Sequence, residues 1–539
     1  MESEALPIQQ TEYLGKREPI TEQMDDGHDT SEFKKVVKPR QLKKARFSDQ
    51  CDQVKEVIKT YRIIDGVAPV DEYVQNKDNY KICQLFGTTY SKILNQSNVA
   101  ANMNKFYILQ MLEHKQTRDV FVYFRWGRLG VKGSDCLIPF GRDTGAAIAE
   151  FDAKFKEKAE EGNYEELEIA FEDEITVEEH EQELIKHFKE TSVPSGVAIL
   201  IRDIFSLKMF ETEIKDIGYD IKKMPLGKLS NSNLKMGYNL LKMIAKEVES
   251  PSAGSDAKFQ SLSSKFYTFI PHDIGFKKMS EFTIKTKDMV EKKMELLNSL
   301  SQMKVAQQMI ENENVESSNN KIDQYYQQLN NKIEVINPED AEYKQVKQYL
   351  ESTHSKDHRF KIDMTELYRL DRNKESEKFK KELGNRKLLW NGSRLSNYAG
   401  ILSQGLKGAP TEAPATGFMF GKGIYFSDMS SKCALNLNCH LSDNTGLMLL
   451  CDVALGESST FTRPNINASK LPEDKHSVTG QGIIGPLSKN EVKSKYGYTI
   501  PMGPVQATNT ETSTLPFNEY VVYSPDQVKM KYLVRCKIN

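Results

Sequence analysis

The chain has 539 residues, with 74 basic against 76 acidic side chains, 38% hydrophobic residues and seven cysteines. That length allows roughly three to five domains of ~100–200 residues, and the near-zero charge balance excludes a globally basic nucleic-acid coat, so any polyanion site must be local. No apolar run approaches the ~18–20 residues that span a bilayer, the start MESEALPIQQ lacks a secretory pattern, and the scattered cysteines show no CxxC pair, so the expectation is a reduced cytosolic or nuclear protein without a membrane role.

Residues 1–70 are polar and read as disordered. Within them, Lys34 to Arg46 carries seven basic residues and no acid, which fits a nuclear import signal, a nucleic-acid-contacting arm or a plain solvated tail. From 71 to 175 the pattern is β-rich. Lys105–Leu112 and Phe121–Trp126 are aromatic and β-branched runs separated by the polar turn EHKQTRD, as in paired strands. Thr144 to Ala159 has the spacing of one amphipathic helix. Thirteen carboxylates then fall between Glu157 and Glu183, and 176–191 reads as an acidic linker.

Residues 192–312 carry helical spacing. Val290, Met294 and Leu297 form one apolar stripe and Leu296, Leu300 and Met303 a second, so this helix should be buried around much of its circumference. From 322 to 539 the signal is mixed α/β. Val528, Met530, Tyr532, Val534 and Cys536 alternate with largely basic residues in a half-buried strand, and Leu447–Leu455 is continuous enough for a central strand. The fold class expected is therefore multidomain α+β: a small β-rich domain, an all-helical domain and a mixed α/β domain.

The two tryptophans mark the segments with chemical character. Trp126 sits in Arg125-Trp-Gly-Arg128 at a strand end, in a span, 101–132, with six basic side chains against two acidic. An exposed ring there stacks on a sugar or base while arginines neutralise phosphate; an ordinary core tryptophan is the plain alternative. Trp390 precedes Asn391-Gly392-Ser393, where glycine lets a ligand approach the backbone. A second glycine-bounded segment, 417–426, delivers Tyr425, and Phe517-Asn-Glu-Tyr520 opens a β-run whose Glu519 can face a cleft. There is no GxGxxG, Walker A or GxSxG sequence. Cys433-x5-Cys439-His440 lacks a second ligand pair, so no metal is expected.

Three segments in order resemble the DNA-dependent poly(ADP-ribose) polymerases. RWGRLG at 125–130 resembles their WGR domain; MPLGKLS at 224–230 and KFYTFIPHDIG at 265–275 resemble their helical regulatory domain. The stretch from Lys387 through Ile424, with RLSNYAGILSQGLKGAPTEAPATGFMFGKGIYFSDMSSK across and beyond it, is similar to their catalytic domain. The resemblance covers 70–539, about seven-eighths of the chain, and is closest to the shorter members without zinc fingers.

The resemblance implies an enzyme that cleaves NAD+ at the nicotinamide–ribose bond and passes ADP-ribose to proteins or to a growing chain. By matching position, Glu519 is the catalytic carboxylate, Tyr425 stacks on nicotinamide, and Gly392 holds the carboxamide through its backbone. Ser393, Gln404 and Gly405 fall on the adenosine side, and Lys432 lies beside the glutamate. The family's catalytic histidine is Asn391 here, its carboxamide-binding serine is Cys433, a second stacking tyrosine is Asn436, and an arginine near adenine is Lys407. Two readings follow: a repacked but working transferase, or an impaired pocket on a DNA-end-binding scaffold. Further implications are NAD+ as substrate, a nuclear location, and binding of DNA breaks with a 5′-phosphate through Trp126, Arg125 and Arg128. Histones or other chromatin proteins, and the chain itself, are the implied acceptors.

Overall fold

The computed structural model describes residues 68–539 apart from 168, 171–176, 217–227, 312–319, 416, 509 and 511. The basic run at 34–46 lies outside the described residues.

Alternating side chains build the first sheet. Its strands are β1 (Tyr80–Ile82), β2 (Ser91–Asn98), β3 (Met103–His114), β4 (Val120–Arg128) and β5 (Ser134–Gly141). After α1 (Thr144–Lys156) the short β6 (Glu165–Glu166) closes the edge, giving the order β5-β4-β3-β2-β6 with β1 also paired to β3. The two expected strands are the centres of β3 and β4. The Asp143 side chain caps α1 by accepting from the Ala146 N–H at 2.9 Å, a bond that stabilises a helix start by ~1 kcal/mol. Ala147 and Phe151, four residues apart, then bury against Leu109, Val122 and Phe124.

Helices follow: α2 (Val177–Phe188), α3 (Ser195–Ile204), α4 (Leu207–Asp216), α5 (Asn231–Glu249), α6 (Ser255–Phe269), α7 (Lys287–Glu311) and α8 (Lys321–Gln328). The span 176–191 is thus not a plain linker. Five of the twelve residues of α2 are charged, yet His180 and Leu184 lie on one face and are buried, and His180 Nε2 meets the Tyr325 hydroxyl of α8 at 3.2 Å. In α7, Val290, Met294, Leu296, Leu297, Met303, Ala306 and Ile310 are all buried. The double stripe has put this helix at the centre, between α5 on one side and catalytic-domain segments on the other.

The last part holds two sheets. The larger contains β7 (Asn331–Val335), β8 (Ile362–Arg372), β9 (Arg386–Gly392), β11 (Thr445–Ala454), β14 (Val492–Lys493), β15 (Thr499–Ile500) and β17 (Val528–Ile538). Its order is β7-β8-β17-β11-β9-β15-β14. Every residue of β11 is buried, as its unbroken apolar run requires, and the five alternating residues of β17 are buried beside it. The smaller sheet runs β10 (Ile424–Phe426), β16 (Glu519–Val522), β13 (Ser477–Gly480) and β12 (Ser458–Phe461). Helices α9 (Ala341–Ser352), α10 (Tyr398–Gln404) and α11 (Ser430–Ala434) complete the unit. The two sheets are stapled by paired backbone bonds between Trp390 and Ser427, at 2.8 and 2.9 Å. One apolar core continues from Ile93 and Phe106 through the helices to Leu389, Val522 and Leu533.

Candidate active site

The staple at Trp390 and Ser427 fixes where the expected residues meet. Asn391 follows Trp390 at the end of β9, and Tyr425 lies on β10 across the junction. The Asn391 Nδ2 donates to the Tyr425 backbone carbonyl at 2.9 Å. Strand β10 pairs with β16 so that Tyr425 faces Val521 and Phe426 faces Tyr520, which brings Glu519 to the same end. The Tyr425 hydroxyl donates to the Gly421 carbonyl at 2.7 Å and accepts from the Phe420 N–H at 2.9 Å. Both bonds hold the ring in the glycine-bounded loop. Burial pushes that hydroxyl's pKa far up, so it stays protonated.

Glu519 is 7% exposed and forms an ion pair with Lys432 of α11. The Lys432 Nζ also donates to the Asn518 carbonyl at 3.0 Å. Burial pushes the Glu519 carboxyl above its ordinary range, the Lys432 ammonium opposes that rise, and the nearby Asp428 carboxylate adds to it. Such a carboxylate, poorly hydrated and facing one cation, is suited to meeting positive charge that develops on a sugar ring.

Gly392 abuts α11. A Cβ at that position would lie 2.5 Å from the Cys433 carbonyl and 2.8 Å from Cys433 Sγ, so only glycine fits between strand and helix. Cys433 is 2% exposed, and burial pushes its thiol well up, leaving it neutral. Other expected residues are more peripheral. The Ser393 hydroxyl accepts from Asn397 Nδ2 at 2.8 Å. Gln404 and Lys407 are exposed and bonded to each other at 2.6 Å. Gly405 is buried at the end of α10, and Asn436 is exposed beyond α11. Among the described residues, no group of three or more His, Cys, Asp or Glu is arranged to hold a metal ion. A cavity of about 520 Å³ is lined by Tyr326, Asn331, Lys332, Arg372 and Lys374, and none of the expected site residues lines it.

Helix α7 lies against the strand-to-helix segment that follows Gly392. Arg394 is 7% exposed and its Nε and Nη2 reach Glu295 of α7 at 2.8 and 2.7 Å. The Ser396 hydroxyl donates to Glu213 of α4, a carboxylate that is buried. A Cβ on Gly400 would fall 2.1 Å from Gln302 Oε1 of α7. None of these partners was visible in the sequence, since each pair is separated by about a hundred residues or more.

In the first module, Trp126 is 39% exposed and stacked on Tyr107, with ring centroids 5.8 Å apart and planes at 14°. This is a surface ring and not a core one. Arg128 lies on the same strand face; its Nε donates to the Gly275 carbonyl at 2.7 Å and its Nη2 to the Lys277 carbonyl at 3.3 Å. It therefore fastens the first module to the segment between α6 and α7. Arg125 points the other way. It is 1% exposed, paired to Asp71 at 2.7 Å, and donates to the Lys132 carbonyl at 2.8 Å. Its charge is spent inside the fold and is not offered to a ligand.

The chain matches the family model of the Poly(ADP-ribose) polymerase catalytic domain over residues 340–538, that of the Poly(ADP-ribose) polymerase regulatory domain over 191–326 and that of the WGR domain over 90–170. It is 36% identical to Poly [ADP-ribose] polymerase 2 of Zea mays over 494 residues, which covers 88% of this chain and 74% of the maize protein. It is also 35% identical to Poly [ADP-ribose] polymerase 2 of Homo sapiens, over 90% of this chain and 86% of the human one. The chain belongs to the poly(ADP-ribose) polymerase family. Poly [ADP-ribose] polymerase 1 of Danio rerio is 35% identical over 88% of this chain and 48% of its own length. The protein is an NAD+ ADP-ribosyltransferase: NAD+ is its substrate, and DNA binding goes with the WGR domain. No helix among the described residues is long and apolar enough to cross a membrane.

Proposed function

We propose that this enzyme is a nuclear sensor of DNA breaks that carry a 5′-phosphate, and that it ADP-ribosylates itself and chromatin proteins such as histones. The observation that carries the reading is the convergence of Asn391, Tyr425 and the Lys432-paired Glu519 on adjoining strand ends, in a chain whose WGR domain presents an exposed Trp126. Trp126 packs on the sugar at the break. Arg128 transmits that contact, because the carbonyls it holds belong to the segment leading into α7. Helix α7 and α4 in turn grip Arg394 and Ser396 beside the nucleotide-binding segment. DNA contact that loosens this grip shifts the population towards an open site.

In the reaction, Tyr425 stacks on nicotinamide and Gly392 fixes its carboxamide through backbone groups, with Cys433 behind it as a neutral thiol. Ser393, Gln404, Gly405 and Lys407 lie towards the adenosine side, and Asn436 stands where the family has its second stacking tyrosine. The nicotinamide–ribose bond breaks with its electrons going to nicotinamide, and Glu519 stabilises the oxocarbenium-like sugar and orients the incoming acceptor. Asn391 replaces the family histidine and is held by the Tyr425 carbonyl, so it also fixes the stacking residue.

The test is label transfer from NAD+ to the full chain and to a histone mixture, with no DNA, with nicked DNA bearing a 5′-phosphate, and with the same nick bearing a 5′-hydroxyl. The reading expects stimulation chiefly by the first nick. Equal activity in all three conditions sinks the sensor; tight binding of the nick without any label leaves a DNA-end-binding scaffold.

A further inference from the structure

Asp428 is a buried acid whose charge acts on the proposed catalytic carboxylate, and no expectation from the sequence singled it out. It is 1% exposed. Its Oδ2 accepts from Asn518 Nδ2 at 2.8 Å and from the Tyr520 hydroxyl at 3.0 Å. Those two residues flank Glu519 on either side. In a strand, neighbours point to opposite faces, so a single carboxylate oxygen holds the face of the chain behind Glu519 at two points. Asn518 is fixed further, its Oδ1 accepting from the Gly482 N–H at 2.9 Å. The other oxygen of Asp428 has no hydrogen-bond partner among the described residues, so its charge is not consumed by a full set of donors.

We infer that Asp428 is a positioning residue for the transferase reaction: it locks Asn518 and Tyr520, and through them holds Glu519 at its distance from Lys432. The inference rests on the reading of Glu519 as the catalytic carboxylate. Lys432 follows Asp428 by four residues, pairs with Glu519 and donates to the Asn518 carbonyl, and its charge also acts on the Asp428 carboxyl. Loss of Asp428 thus alters both the placement and the field of Glu519.

The charged and titratable groups around this arrangement come from several elements. They are Lys432 on α11, Lys387 on β9, Tyr425 on β10, Tyr520 on β16 and Tyr349 on α9, with Glu491 beyond Lys387. The sign is set by the two acids. The Asp428 charge pushes the Glu519 carboxyl up, so removing it lets Glu519 ionise at lower pH.

The experiment measures nicotinamide release by the full chain, with nicked DNA present, for the parent and for Asp428→Asn, Tyr520→Phe and Glu519→Gln. Asp428→Asn should lower kcat between about ten- and a hundredfold, the scale on which misplacing a catalytic group by ~1 Å acts. KM for NAD+ should barely change, and the acid limb of the kcat/KM profile should move to lower pH. Tyr520→Phe removes one tether and keeps the Asp428 charge, so kcat should fall without that pH movement. An inactive Glu519→Gln beside an Asp428→Asn variant with parental kcat and parental acid limb overturns the positioning role while leaving Glu519 catalytic. An active Glu519→Gln overturns the reading beneath it. Should Asp428→Asn not fold, parental kcat in both Tyr520→Phe and Asn518→Ala overturns the proposal.

Discussion

Ser396→Ala tests whether the helical module restrains the active site. The Ser396 side chain is fully buried and its hydroxyl donates to Glu213, itself 1% exposed on α4. Alanine leaves that carboxylate without this donor, and a buried acceptor deprived of its bond costs ~1–3 kcal/mol. The bond joins the helices to the catalytic domain only while they are docked, so the loss falls on the docked state. At RT ≈ 0.59 kcal/mol, the undocked fraction should rise about five- to 150-fold. DNA-free nicotinamide release should increase by that factor, up to the ceiling set by DNA-saturated activity, and the ceiling itself should stay where it is. Parallel thermal denaturation reports any global destabilisation. A variant with a lowered Tm but unchanged DNA-free activity would refute the argument, because the contact would then hold the fold without gating the site.

Other outcomes follow from the same geometry. Trp126→Ala removes a ring that is 39% exposed; losing one stacking contact costs ~1–3 kcal/mol, so Kd for a 5′-phosphorylated nick should rise by at least about fivefold in fluorescence anisotropy, and an unchanged Kd removes Trp126 from the interface. Lys432→Met strips the cation that opposes the burial of Glu519; the Glu519 carboxyl then rises further, and the acid limb of the activity profile should move to higher pH, the reverse of Asp428→Asn. Lys293 of α7 donates to His272 Nε2 at 2.8 Å, and burial pushes its amine down to about 8. Between about 8 and the ~10.4 of an unfolded lysine, the unfolded chain binds the extra proton, so stability should climb with pH over that window. Lys293→Met should abolish the climb in pH-dependent Tm measurements, and its persistence there would locate the effect elsewhere.

Much of the architecture was legible because burial leaves a periodic trace. The alternation from Val528 to Cys536, the unbroken run of β11 and the double stripe of α7 each describe one element's surroundings, and each is found where its pattern indicated. α2 was hidden because its two buried positions, His180 and Leu184, are submerged in acidic residues that dominate composition. The candidate site residues came only through resemblance, since Asn391, Tyr425 and Glu519 are separated by 34 and 94 residues and no local spacing unites them. Arg125 shows the converse. Its neighbours Trp126 and Arg128 face outward, but an ion pair to Asp71, 54 residues earlier, turns it inward, and no window around RWGR contains that partner. Asp428 had no signal of its own either, because its importance comes from two donors ninety residues away.

The most direct test of the account is a paired measurement on Glu519→Gln. It combines transfer of labelled ADP-ribose from NAD+ in the presence of 5′-phosphorylated nicked DNA with affinity for the same nick. The account predicts that label disappears while the Kd for DNA stays at its parental value, because Glu519 belongs to β16 and the proposed DNA contact, Trp126, to β4. Retained label, or a loss of DNA affinity equal to the loss of transfer, would contradict it.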